Sequence, residues 1–494
     1  MPQIAQRRRR LHPKLGRSFE GELFELLDFA QARVFVDDAW ERDVLPRLRD
    51  YIAVPAQSPA FDPAWESSGH LERAAQMLRD WAEARLAGIE GVSVEIVRLA
   101  GRTPSIFIDI PGDARAPVVF YGHYDKQPPM AGWHRGKGAW IPVLEGDRLY
   151  GRGGADDGYA IFSAVLAVLA LRAQAEPHPP VKILIEGSEE SGSGDLEPTI
   201  EHLELRLGRP GLLIALDGSC GNYDQLWTMT SLRGQVAGTL TVRTLREGVH
   251  AGDASGVVPS PFRIARQLLS RIEDPLSGEI DLAFRAPIRA ERRAQAIATG
   301  EAIGPLHHAL SLSGKSAPVT EDAAEQLLNR AWRPQLAVTG IDGIPGVADA
   351  AAVMWPEVAL KLSLRLPPTL NPVAAGATLK TILEADPPYR CDVGFSLDML
   401  SPGWEAPSLD PRLGEIFDAA SGLAFGRPAA SIGGGGGIPF LTMLGARFPG
   451  VQFMVTGVLG PESNAHGPNE FLHLPAARKL TAALVYILRH MKDR

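Results

Sequence analysis

At 494 residues the chain is too long for one ordinary hydrophobic core, so two domains are expected. Its 45% hydrophobic and 22% charged residues describe an ordinary globular protein, and a net charge of -8 speaks against a broad surface for nucleic acid or anionic membrane. Two cysteines, Cys220 and Cys391, cannot supply a disulfide framework, which points to a reducing, cytoplasmic compartment.

Arginines 7–10 have no apolar segment behind them, so the N-terminus does not read as a secretory signal. Helical patterns cover about 20–53 and 71–87. Strands and helices then alternate: VSVEIVRL at 92–99, SIFIDI at 105–110, APVVFYGHYD at 116–125, a helix over 159–173, VKILIE at 181–186, a helix near 196–207, and GLLIALDG at 211–218. The longest apolar run, 160–171, is too short to span a bilayer and reads as a buried helix. Such alternation, with nearly all-apolar strands, predicts an α/β domain whose mostly parallel sheet is covered by helices on both faces.

Beyond Ser231 the texture changes. QVAGTLTVRTLR is a half-polar strand, PFRIARQLLSRI a helix and ALKLSLRLPP another alternating strand. These predict a smaller α+β domain inserted over 232–395, between a first part at 1–231 and a second at 396–494. VQFMVTGV and an amphipathic helix over 475–491 close the first domain.

Residues able to bind metal recur at one kind of place. His123 and Asp125 follow the strand VVFYG; Asp156 and Asp157 follow LYGRGGA just before a helix; Asp217 ends LLIAL; and His466 lies in the loop after VQFMVTGV. VKILIEGSEESGS at 181–193 is a buried strand ended by a Gly-Ser turn and two adjacent carboxylates, Glu189 and Glu190. Neighbours on an extended or turning backbone point in different directions, so one can bind a metal while the other faces a metal-bound water as general base. Open α/β sheets gather their sites at the carboxyl ends of strands, so these groups can converge on one crevice. Imidazoles mixed with carboxylates and no thiolate suit zinc, with manganese or cobalt as alternatives.

The motifs YGHYDKQP, LYGRGGADDG, EGSEESGS, ALDG, GVHAGDASGVVPSP and SNAHGPNE resemble those of the co-catalytic zinc peptidases that include carnosinase, cytosolic dipeptidase, aminoacylase and bacterial glutamate carboxypeptidase. WIPVLEGDRLYGRGGADDG is most similar to the dipeptidase and carnosinase branch, and the resemblance runs from about residue 40 to the end. It implies a catalytic domain with two divalent metal ions, and an inserted ferredoxin-like lid that forms a homodimer interface. Carried over by motif, His123, Asp156 and Asp217 bind one metal, Glu190 and His466 the other, and Asp156 bridges them. Asp125 would orient His123 and Glu189 would be the general base. Two divalent cations against three ligand carboxylates leave one positive charge, which a bridging hydroxide neutralises.

The implied reaction is hydrolysis of a peptide or amide bond in a small substrate, as in a dipeptidase-like exopeptidase. The alternative is removal of the acyl group from an N-acyl amino acid. A catalytically inactive binding protein is a third reading, against which the full ligand set and the retained Glu189 count. The resemblance also gives His250, in GVHAG, an oxyanion-stabilising role across the dimer, and Arg365, in LSLRLPP, a grip on the substrate carboxylate.

The sequence departs from the family pattern at three places. Gly158 stands where the nearest relatives carry Lys, and Ser260 where the family often has Asn. An Arg-Glu-Gly-Gly-Ser-Ile-Pro loop appears here as glycines 433–437 followed by Ile438 and Pro439. Backbone N–H groups of Gly436 and Gly437 could still cradle an anion, but the loop's own side chains are missing.

Overall fold

The computed structural model describes residues 27–436 and 439–492. A nine-stranded sheet organises the larger part. At its centre, Val181–Glu186, Val118–His123, Leu212–Ala215 and Gln452–Val455 run parallel in that spatial order, so their carboxyl ends meet one edge. Ser93–Val97, Ser105–Ile110 and Trp227–Leu232 add antiparallel flanks. The α/β class therefore holds, in a mixed sheet whose centre is parallel and in which Ala430–Gly434 also pairs parallel with the flanking strand Trp227–Leu232.

Successive strand residues feed opposite faces, as a period of two requires. Val118 and Phe120 join one apolar cluster with the helices Phe29–Ala39, His70–Leu86, Ala160–Ala173 and Leu474–Met491. Val119 and Tyr121 join a second with Leu196–Leu207 and Pro439–Arg447. The segment Gly154–Ala173 is 20 residues long and apolar enough to span a membrane by composition, but 94% of its most apolar 18-residue stretch is buried, which marks a core helix.

A separate four-stranded antiparallel sheet has the order Gln335–Asp342, Glu357–Leu366, Gly234–Arg243, Asp392–Ser401. Helices Pro261–Leu269 and Pro372–Glu384 cover one face and close a third apolar cluster around Leu240, Leu268, Leu362 and Leu379. That β-α-β-β-α-β succession is the ferredoxin-like arrangement. Its last strand runs past position 395 to Ser401, with a bulge between Leu397 and Met399. The interval 232–395 also contains an excursion that belongs elsewhere. Helices Ala290–Ile303 and Ala323–Ala331 send Ala296, Leu327 and Leu328 into the cluster of Trp227 and Ile432 on the larger sheet. Their apolar stripes bury against the first core and leave the second sheet to its own two helices.

Candidate metal centre

Parallel register builds the site. His123 lies opposite Glu186, and Tyr121 opposite both Leu184 and Ala215, so Asp125, Glu189, Glu190 and Asp217 emerge within a few residues of one edge. Asp156 comes from the turn Gly154–Gly158 that leads into the core helix. That helix start approaches the strand closely because residue 122 is glycine. A Cβ there would lie 2.6 Å from Asp157 Oδ2 and 2.7 Å from the Ala160 Cβ.

Two donor sets form around Asp156. Its Oδ1 lies 3.1 Å from His123 Nε2, and its Oδ2 lies 3.0 Å from His466 Nε2. Asp217 Oδ1 completes the first set at 4.0 Å from His123 Nε2, and Glu190 Oε2 the second at 3.4 Å from His466 Nε2. Within each set the donor atoms lie within 4.8 Å of one another. One carboxylate facing two histidines through different oxygens is the arrangement a bridging ligand requires.

No lysine or arginine pairs with Asp156, Glu189, Glu190 or Asp217 among the described residues. Burial, then the charge of Asp217, holds the Glu189 carboxyl well above the usual carboxylate range. Burial, then Asp156, pushes Glu190 up to about 9, and burial followed by Asp156 likewise raises Asp217. Asp156 moves the other way: hydrogen bonds from His123 and His466 outweigh its burial. His123 is raised despite burial, by hydrogen bonds to Asp125 and Asp156. Crowded, buried carboxylates beside two imidazoles are a donor set suited to divalent metal ions.

Asp125 holds this set in shape. Its two carboxylate oxygens accept the backbone N–H of Glu189 at 3.1 Å and of Glu190 at 3.0 Å. His123 Nδ1 lies 3.1 Å from the Asp125 carbonyl oxygen and 3.4 Å from its Oδ1, so the main chain is the nearer orienting partner. Glu189 reaches the edge of the cluster through this anchored turn.

Sequence reasoning missed several supports. Gln127 donates from Nε2 to Glu190 Oε2 at 2.6 Å. Arg152, buried against Glu470 in an ion pair, donates from Nη2 to the carbonyls of His466 at 2.8 Å and Gly467 at 2.9 Å. These bonds hold His466 at a φ of 66°, a backbone region costly for a side-chain-bearing residue. Arg152 and Glu470 both stand inside quoted motifs, but nothing local pairs residues 318 positions apart. Lys126 is buried with Nζ donating to the carbonyls of Tyr51 at 2.8 Å, Ile52 at 3.3 Å and Val54 at 2.8 Å, while the Tyr51 hydroxyl donates to the Tyr124 carbonyl at 2.7 Å. The ammonium thus caps the carboxyl end of helix Leu45–Ile52.

The other candidates lie apart. His250 is exposed on a two-stranded ribbon with Val353–Met354, its Nδ1 3.5 Å from Asp253 Oδ2, and it bonds to no member of the metal cluster. Arg365 is half-buried on the second sheet, opposite Gln335 and Gln235. Gly436 is exposed with open space around its Cα, and Gly437 lies outside the described residues. Burial pushes the Cys220 thiol up to about 12, away from the thiolate form.

A family model described as peptidase family M20/M25/M40 matches residues 119–490. The chain is 24% identical over 376 residues to a cysteinylglycine-S-conjugate dipeptidase of Corynebacterium striatum, covering 73% of this chain and 77% of that one. It is 26% identical over 412 residues to the Beta-Ala-His dipeptidase of Homo sapiens, covering 76% and 78%. The crystal structure of human carnosine dipeptidase 1 superposes with a TM-score of 0.74 at 22% identity, covering 94% of this chain and 99% of that one, a likeness of fold.

Proposed function

The chain belongs to peptidase family M20/M25/M40 and is a metal-dependent hydrolase, and on that premise we propose that it is a dipeptidase-like exopeptidase cleaving small peptides at a two-metal site. The observation that carries this reading is Asp156, one oxygen toward His123 and the other toward His466. In this assignment His123, Asp156 and Asp217 hold one divalent ion, Asp156, Glu190 and His466 the other, and zinc is the metal their donor chemistry favours.

Bound divalent ions supply Lewis acidity to the scissile carbonyl and acidify the attacking water. Glu189 takes the proton from that water and returns it to the leaving nitrogen. Burial supports the role, since it makes this carboxylate a stronger base than an exposed one. Asp125 keeps Glu189 and Glu190 at a fixed separation through their two N–H bonds. Arg152 and Glu470 keep His466 facing Asp156.

The ferredoxin-like sheet serves as lid and as the surface of a homodimer. His250, exposed and free of the cluster in its own chain, acts on the partner's substrate as an oxyanion donor. Arg365 meets the substrate carboxylate. The net charge and the two unpaired cysteines favour a cytoplasmic location.

Zinc analysis combined with a hydrolysis screen tests the reading. Two zinc equivalents and cleavage of dipeptides, abolished by chelation, are expected. Cleavage of N-acyl amino acids alone would move the assignment to an acyl-amino-acid amidohydrolase, and two bound metals without any hydrolysis would refute an enzyme. Mixing His250→Ala with Glu189→Gln should restore activity if subunits exchange, because one site then has both residues intact. Exchange without recovery would place His250 outside the reaction.

A further inference from the structure

Three arginines converge where the glycine loop has lost its own side chains. Arg233 follows the strand Trp227–Leu232, Arg330 is in the last turn of helix Ala323–Ala331, and Arg365 is on the strand Glu357–Leu366. Arg233 donates from Nε to the Gly435 carbonyl at 3.3 Å and from Nη1 to those of Asn329 and Arg333, each at 3.3 Å. Arg330 donates from Nη2 to the Gly433 carbonyl at 3.2 Å, and its buried Nε has no partner among the described residues. None of the three forms an ion pair among the described residues. Carbonyl oxygens satisfy N–H groups, but they do not cancel the charges.

Burial lowers all three guanidinium groups, and Arg233 falls to about 10 under burial and then the charges of Arg365 and Arg330. Cations held together against this cost, with no internal counter-ion, leave a place for an anion from outside. A cavity of about 380 Å³ lies beside Arg330, lined by it, by His308 and by the glycines 433–435. Met229, Ile303 and Leu306 make its walls apolar. Ser219, two residues after Asp217, and Pro461, in the loop leading to His466, also line it, so the cavity adjoins both loops that carry metal-site residues.

We propose that Arg330, backed by Arg233, is the specificity-determining anchor for a second carboxylate, apart from the one that Arg365 meets, on a substrate whose body is apolar. The excursion helix thereby supplies the cation that the glycine loop lacks. The proposal rests on the hydrolase reading above for its substrate, but not for its anion.

Hexanoate and hexanamide, equal in size and different in charge, are the probes, with melting temperature of the zinc-loaded protein as the readout. Hexanoate should stabilise the wild type and hexanamide should not. In Arg330→Met the half-saturating hexanoate concentration should rise at least tenfold with zinc content unchanged, and Arg330→Lys should fall between. Because the Arg330 charge is uncompensated, Arg330→Met without ligand should melt at or above the wild-type temperature. A wild-type hexanoate response in Arg330→Met overturns the proposal. A lower melting temperature with that response retained overturns it too, since it marks an arginine kept for structure. An Arg330-dependent hexanoate response in a protein that hydrolyses nothing removes the hydrolase reading and leaves the anchor standing.

Discussion

Replacing Asp125 by asparagine keeps the shape but removes a charge and one acceptor. In the native turn both carboxylate oxygens accept backbone N–H groups, from Glu189 at 3.1 Å and from Glu190 at 3.0 Å, and Oδ1 also faces His123 Nδ1 at 3.4 Å. Asparagine can satisfy only one of the two N–H groups, and its amide turns donors toward the other. A buried N–H left without an acceptor costs about 1–3 kcal/mol, roughly 5- to 150-fold in an equilibrium constant. Loss of a group that orients metal ligands weakens metal binding by about 10- to 100-fold, which agrees. Asp125 touches His123 of one donor set and the Glu190 backbone of the other, so both metal equivalents should weaken together. Calorimetric zinc titration against a competing chelator, run on native protein and Asp125→Asn, measures this. Weakening of one equivalent with the other unchanged, or wild-type affinity for both, would refute the organising role of this carboxylate.

Glu189→Gln should lower kcat by about 10²–10⁴-fold while zinc content, read by elemental analysis, stays at the native level. Gly158→Ala would place a Cβ 2.2 Å from the Tyr51 ring, so thermal unfolding should show a loss of about 1–3 kcal/mol from overpacking. The metal-stripped protein should lose stability as pH rises from 4.5 to about 9, because Glu190, Glu189 and Asp217 bind protons more tightly folded than unfolded, and His123 and His466 act in the same sense. Asp156 has the opposite sign, but its window lies below pH 3.8; within the window burial of His178, His473 and Lys126 opposes the loss, and the crowded metal-site groups outnumber them. Zinc should flatten the profile, and a stripped protein that gains stability through that window would contradict the raised carboxyls.

The central strands were legible because Val118, Phe120, Ile183 and Ile214 sit in short runs apolar on both faces, a pattern that only a doubly covered sheet demands. Five donors come together because each follows a strand or opens the helix beside one, a regularity visible in order along the chain. The destination of the helices Ala290–Ile303 and Ala323–Ala331 was not legible. Their amphipathic stripes announce burial, but periodicity names no partner, and either core could have taken them. For the same reason nothing local sets Arg330 apart from any other helix charge. Only the three-dimensional return of that helix to the larger sheet sets it beside Gly433 and Arg233.

The buried Lys126 cap ties four distant positions into a single packing unit. Lys126 holds the Tyr51 carbonyl while the Tyr51 hydroxyl holds that of Tyr124, so the two segments are crossed rather than merely adjacent. Glycines occupy the two remaining corners: a Cβ at 153 would meet Lys126 Cε at 2.7 Å, and one at 158 would meet the Tyr51 ring at 2.2 Å. A longer side chain at 158 would have to displace the Tyr51 ring, whose hydroxyl holds the Tyr124 carbonyl next to His123, and its Cβ would also lie 2.6 Å from the Gly153 carbonyl. The metal-bearing turn thus inherits its constraints from a helix at 45–52 that contributes no ligand to it.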